Sequence, residues 1–194
     1  MRKDIQCNIG ITGKVGSGKS YTGRYLSDAT GLEYINFDEH LAEILRLPVL
    51  KQYAQLRFDS EIICNDGKMM ETFRNMQTPL YSFEKLALFT LCNLRLKKLL
   101  SGIPKIIDFA ALPLLSTAHR FRDNILVKGD ERKRIFMACQ RDNISEETIV
   151  RFDGFVNDMV DYDKLKYTDK VLNDYTKKPD NLDEIAERII AKYC

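Results

Sequence analysis

Short apolar, β-rich runs alternate along this chain with longer stretches whose apolar residues recur at three- and four-residue spacing. Strands are predicted at 5–11 (IQCNIGI), 33–37 (EYINF), 104–108 (PKIID), 124–128 (NILVK) and 169–173 (DKVLN), each a short apolar run. Helices are predicted at 20–29, 39–45, 79–100, 130–141, 145–158 and 182–193; in the longest, Leu80, Phe83, Leu86, Ala87, Phe89, Thr90 and Leu94 keep helical spacing. Strand followed by helix, repeated, is the pattern of an α/β protein with a parallel sheet. The order breaks once. Residues 39–103 hold no convincing strand, and so long a crossover exceeds what a simple βαβ unit needs. The excess predicts an inserted helical lobe that binds a substrate.

Helix ends carry weaker signals. Ser145 is placed to cap the helix 145–158, although Thr148 stands where a capping box has Glu or Gln. The last helix is better marked, with Asp180 or Asn181 as cap and Asp183 and Glu184 in its first turn.

Composition narrows the class. A chain of 194 residues, 44% hydrophobic and 30% charged, predicts one soluble globular domain. No apolar run approaches the roughly 20 residues of a membrane span. The start, MRKDIQCN, lacks the apolar stretch of a secretory signal, so the expectation is a cytoplasmic protein without a membrane partner. The net charge of +2 is too small to imply nucleic acid as a partner. The five cysteines, Cys7, Cys64, Cys92, Cys139 and Cys194, are odd in number and form no CxxC pair. They supply no recognisable zinc ligand set and make a disulfide framework unexpected. A monomer or weak homo-oligomer is expected. Basic residues crowd 119–141 densely enough to serve phosphates, but Arg132, Lys133 and Arg134 are expected on a solvated helix face.

The most specific signal is GKVGSGKS at 13–20, which fits G-x-x-x-x-G-K-[ST] between a predicted strand and a predicted helix. Glycines let the backbone wrap phosphate oxygens, and successive amides with the helix N-terminus supply a fixed positive field. Gly13, Lys14, Val15, Gly16, Ser17, Gly18, Lys19, Ser20 and Tyr21 are therefore the expected nucleotide cradle. Lys19 should reach the β- and γ-phosphates, and Ser20 offers a hydroxyl to Mg²⁺. A GTPase would need NKxD and a DxxG switch. No NKxD follows, and the lone D-x-x-G at 28–31 lies too near the loop. A small-molecule kinase using ATP and Mg²⁺ fits better.

Other residues join this reading with alternatives open. Asp38, at the end of the second strand, either takes the acceptor hydroxyl's proton or orients Mg²⁺, or it caps the following helix. Asp108 closes KIID as a metal-holding carboxylate would, or it begins a turn. Arg141 either stabilises charge on the transferred phosphoryl group or pairs with Asp142 or Glu146. Arg151 is a weaker lid candidate, and His40 and His119 receive no role. Asn173 and Tyr175 border the adenine or form an exposed turn.

Taken in order, these segments resemble the dephospho-coenzyme A kinase family. GKVGSGKS is close to that family's GGIGSGKS, and INFDEHLAEI retains Asp38 of its D-A-D motif, with Asn36 in the first acidic position. CQRDNISEE carries its R-D dipeptide as Arg141 and Asp142. TDKVLND resembles its A-D-x-V-I-x-N stretch through Asp169, Val171 and Asn173. The family's PLLFE segment appears either ungapped as AALPL or shifted as PLLS at 113–116. Glu71 and Thr78 stand where the family has a basic residue and a His, and the lid Gln appears as Phe155 or Val156. The resemblance implies a three-layer P-loop kinase fold: a five-stranded parallel sheet, a helical acceptor lobe over 39–103 and a lid over 143–160. It implies ATP and dephospho-CoA as substrates, CoA as product, Lys19, Ser20 and Mg²⁺ on the donor, Asp38 on the acceptor, and Arg141 on the developing charge. The departures leave open another nucleotide or small-molecule kinase, or an ATP-binding module without turnover.

Overall fold

A computed structural model describes residues 8–48, 50, 52, 82–157, 160–162 and 165–193. A five-stranded parallel sheet, ordered β2-β3-β1-β4-β5, forms its centre. Its strands are β1 (Ile9–Thr12), β2 (Glu33–Asn36), β3 (Lys105–Asp108), β4 (Asp123–Gly129) and β5 (Asp169–Asn173). The helices are α1 (Lys19–Thr30), α2 (Phe37–Leu45), α3 (Ser82–Leu99), α4 (Glu131–Asp142), α5 (Glu146–Asn157) and α6 (Leu182–Tyr193), with two 3₁₀ turns, Leu112–Leu114 and Ser116–Arg120.

Helices cover both faces because the strands are apolar on both. Ile106 joins Ile9, Ile11, Leu26, Val127, Leu182 and Ile189 in a core beneath α1 and α6. Its neighbour Ile107 points the other way, into a second core with Phe37, Leu41, Leu88, Cys92, Leu96 and Phe109 beneath α2 and α3. This is the three-layer arrangement of an α/β fold. A smaller cluster of Val15, Ile135, Ala138 and Ile149 ties the glycine-rich loop to α4 and α5.

The register brings chemistry to one edge. Ile11 and Asn36 both lie opposite Asp108, so β1, β2 and β3 finish level. The Phe109 amide donates to the Ile11 carbonyl at 2.9 Å and carries that pairing past the strand ends. Ligands in such sheets bind at the carboxyl ends of the strands. At the opposite edge, buried Asp123 accepts from Lys192, Arg188 and Tyr193, which bolts α6 to the start of β4.

Apart from the first strand, which begins at Ile9, the expected elements stand within a residue or two of their observed ends where they are described. The second strand stops at Asn36, since Phe37 already belongs to α2. Ser145 caps α5, accepting the Thr148 amide at 3.2 Å. Much of the expected lobe, with Glu71 and Thr78, lies outside the described residues, as do the side chains of Phe155 and Val156. Among the described residues no helix is long and apolar enough to cross a membrane.

Candidate active site

The loop between β1 and α1 takes positive φ three times, at Gly13 (φ 150°), Gly16 (φ 77°) and Gly18 (φ 99°). A side chain at Gly16 would overlap the Arg134 carbonyl of α4, and one at Gly18 would overlap the Asn173 amide group. Conformation and space both demand glycine there. The loop carbonyls are held by distant donors. Val15 O accepts from Arg134 Nη1 at 3.0 Å, Gly16 O from the Tyr175 hydroxyl at 2.7 Å, and Ser17 O from Asn173 Nδ2 at 3.1 Å. In a planar trans peptide the N–H points away from the C=O, so the Gly16 and Gly18 amides face away from Arg134 and Asn173. Such an array, ending in the α1 N-terminus, suits a polyphosphate. Lys19, buried among these groups, donates to the Lys14 carbonyl at 3.1 Å.

Two joined basins flank the loop. The first, of about 510 Å³, lies between α4 and the turn after β5 and is lined by Gly16, Gly18, Lys19, Ser20, Tyr21, Met137, Arg141, Asn173 and Tyr175, among others. Tyr175 sits at φ 64°, held by a 3.0 Å bond from its amide to Asn173 Oδ1. Burial pushes its phenol up to about 12, so it stays a donor. Asn173 and Tyr175 thus brace the loop as well as bordering the cleft.

The second basin, of about 610 Å³, gathers Asp38, Asp108, Arg141, Asp142, Asn36 and Arg24 around Val15, Lys19, Ser20 and Tyr21. Asp38 lies in the first turn of α2, not at the end of the strand. The cap is Asn36, whose Oδ1 accepts the Asp38 amide at 3.0 Å. Asn serves here as well as Asp would, which gives the departure at this position a structural role. Asp108 ends β3, only 1% exposed, and accepts a bond from Tyr34. Arg141 lines this basin and also makes the ion pair with Asp142 that was the competing expectation. Asp142 grips its Nε and Nη2 at 2.7 Å each. That grip, reinforced by the charges of Asp38 and Asp108, raises its pKa although partial burial opposes.

Among the described residues no cluster of three or more His, Cys, Asp or Glu could cage a metal. One buried carboxylate and one hydroxyl beside a phosphate cradle is instead what Mg²⁺ takes, since it keeps waters and shares phosphate oxygens. Ser20 and Asp108 fit it.

Sequence reading missed some residues and misplaced one. Arg134 is not on the solvated face; it is 1% exposed and pairs with Glu131 and with Asp153 of α5. It stands four residues before Ala138 and seven before Arg141, so helical spacing puts it on the loop-facing side. That spacing was the available signal. Arg132 and Lys133 are exposed as expected. Gly13, Lys14 and Ser17 border a further cavity behind the loop with Glu131, Arg134 and Tyr162. Of the two alignments of the PLLFE segment, the ungapped one reaches the cleft, because Ala110 lines it and accepts from Thr12 Oγ1 at 3.0 Å. Arg24, Met137 and Tyr34 were not anticipated. His40 is taken up by Arg95 and Glu43, and neither it, His119 nor Arg151 lines either basin.

A sequence model of dephospho-CoA kinase matches residues 7–180. The chain belongs to the dephospho-CoA kinase family. The match spans the loop, Asp38, Asp108, Arg141 and Asn173 together, and it makes the chain a member of a phosphotransferase family. No curated protein matches the sequence significantly. Among solved structures, TT1252 from Thermus thermophilus is similar at 17% identity and a TM-score of 0.62, covering 97% of this chain and 98% of that one. Shikimate kinase from Bacteroides thetaiotaomicron is similar at 10% identity and a TM-score of 0.59, covering 96% and 97%. A gluconokinase from Sinorhizobium meliloti 1021 follows at 19% identity and 0.53, covering 96% and 91%. At these identities the likeness is one of fold, and the fold is that of P-loop kinases.

Proposed function

We propose that this chain transfers the γ-phosphate of ATP to a hydroxyl, and that its acceptor is the ribose 3′-hydroxyl of dephospho-CoA. The observation that carries the reading is convergence. Asp38, Asp108 and Arg141, from three separate segments, line one basin with Lys19 and Ser20. The acceptor's identity draws its support from the family match.

Phosphoryl transfer needs positioning and charge neutralisation more than covalent help. The loop amides and Lys19 hold the polyphosphate, and the first basin, with Met137, Asn173 and Tyr175, receives the base. Ser20 and Asp108 hold Mg²⁺, which supplies neutralisation of phosphate charge. Asp38 faces the same basin and accepts the acceptor hydroxyl's proton. Arg141, oriented by Asp142, stabilises charge spreading over the transferred group. The segment 39–103 supplies the acceptor lobe and 143–160 the lid, which exclude water.

The test incubates the protein with Mg·ATP and dephospho-CoA and looks for CoA by mass spectrometry, beside Asp38→Asn. Product that depends on Asp38 is the expected result. ATP binding without product overturns the acceptor assignment. A panel of nucleosides, shikimate and gluconate then separates another hydroxyl acceptor from a binding module without turnover.

A further inference from the structure

Tyr34 belongs to none of the motifs, yet its hydroxyl reaches the corner where Ser20 and Asp108 meet. We propose that Tyr34 is a positioning residue of the metal corner, its phenol holding the Asp108 carboxylate in the orientation that serves Mg²⁺. The proposal rests on the reading of Ser20 and Asp108 as metal residues.

Tyr34 stands in β2 opposite Ile106, and its hydroxyl donates to Asp108 Oδ2 at 2.5 Å. Asp108 is almost fully buried, where a carboxylate needs donors and where the donor decides which way it turns. With Oδ2 committed to the phenol, the cation's share falls to Oδ1. Outer partners that orient metal-holding carboxylates act in this way. The phenol is a dependable donor. An ordinary phenol titrates at about 10 and is protonated at neutral pH, and this one also hydrogen-bonds with Ser20.

The ring has a seat made for it. Any side chain at Gly23 of α1 would overlap the Tyr34 ring, with Cδ2 2.7 Å from the added carbon. Glycine inside a helix is less favourable than alanine. Here it admits the ring across α1, so helix, strand and carboxylate form one assembly.

The experiment measures the affinity of a non-hydrolysable ATP analogue by calorimetry, in excess Mg²⁺ and in EDTA, for the full chain, Tyr34→Phe and Gly23→Ala, with thermal unfolding recorded for each. The wild type is expected to bind more tightly with Mg²⁺. In Tyr34→Phe the metal-free affinity should persist while the gain from Mg²⁺ shrinks about tenfold. A merely structural tyrosine would change the unfolding temperature and leave that gain intact, and this outcome overturns the proposal alone. A wild type that binds nucleotide with no gain from Mg²⁺ overturns the metal reading beneath it, and the proposal with it. Gly23→Ala keeps the hydroxyl and moves the ring. It is read in the same way, and it decides the matter by itself if Tyr34→Phe does not fold.

Discussion

The proposed donor and acceptor sides of the cleft are built differently. On the donor side each carbonyl from Val15 to Ser17 is held by a side chain more than a hundred residues away in sequence, Arg134, Tyr175 or Asn173. On the acceptor side Asp38 rides the first turn of α2, and Arg141 is gripped by its own neighbour Asp142 with 55% of its side chain exposed. A phosphate cradle works by presenting fixed dipoles that need no reorganisation, so it is braced from several elements. In the proposed reaction, groups that meet an incoming hydroxyl gain from local tethers that let them move with their helix.

The contrast can be broken from either side. The largest effect is expected for Asp38→Asn, which should lower kcat about 10²–10⁴-fold. Nucleotide affinity, measured by calorimetry, should stay unchanged because the cradle is untouched. A parallel loss of affinity would mean that the two sides are not separable.

Asp153→Ala attacks the brace from α5. It leaves the buried Arg134 short of a partner and should cost roughly 3–5 kcal/mol in chemical denaturation, the usual penalty for breaking a buried pair. Burial works against the Arg134 charge, and the hydrogen bonds it donates to Glu131 and Asp153 more than offset this, so removing one acceptor exposes that opposition. A change under 1 kcal/mol would show that the loop is held without this pair.

Tyr175→Phe removes one hydroxyl and leaves the Gly16 carbonyl without that donor. It should weaken nucleotide binding by about 1–3 kcal/mol with little change in kcat. Asp142→Asn loosens Arg141 on the exposed side. An exposed pair is worth about 0–1 kcal/mol, so stability should barely move while kcat drops a few-fold.

The smallest effect on the cleft concerns the far edge of the sheet. Burial tends to raise the Asp123 pKa, but Tyr193 and Lys192, with Arg188 behind them, win and lower it below its ordinary 3.8. The unfolded chain then takes up that proton first. The stability this group contributes is present above 3.8 and is lost as pH falls through its folded value. Acid unfolding should steepen below about pH 4, and Asp123→Asn should flatten that limb without altering the cleft.

How much of this could be read in advance follows from where each interaction lies in sequence. The loop, its flanking strand and helix, and the alternation of apolar runs are local patterns of period and glycine spacing, so GKVGSGKS and the α/β class were legible from the residues alone. Asp38, Asp108 and Arg141 were legible as strand-end or helix-end charges, each with a competing reading. Parallel register places two of them at one basin, since β2 and β3 finish level and Asn36, rather than Asp38, caps α2. Arg134 looked solvated because three consecutive basic residues have no visible face until α4 packs on the loop. Tyr34 and Gly23 carried no signal at all: an aromatic in a strand and a glycine in a helix are ordinary until the sheet lays one across the other. The sequence by itself determined which chemistry is carried and where the backbone must bend, because those depend on residue type and short spacing. Tertiary packing decided which carboxylates share a basin and which side chains brace the loop, because burial and long-range pairing exist only once the layers close.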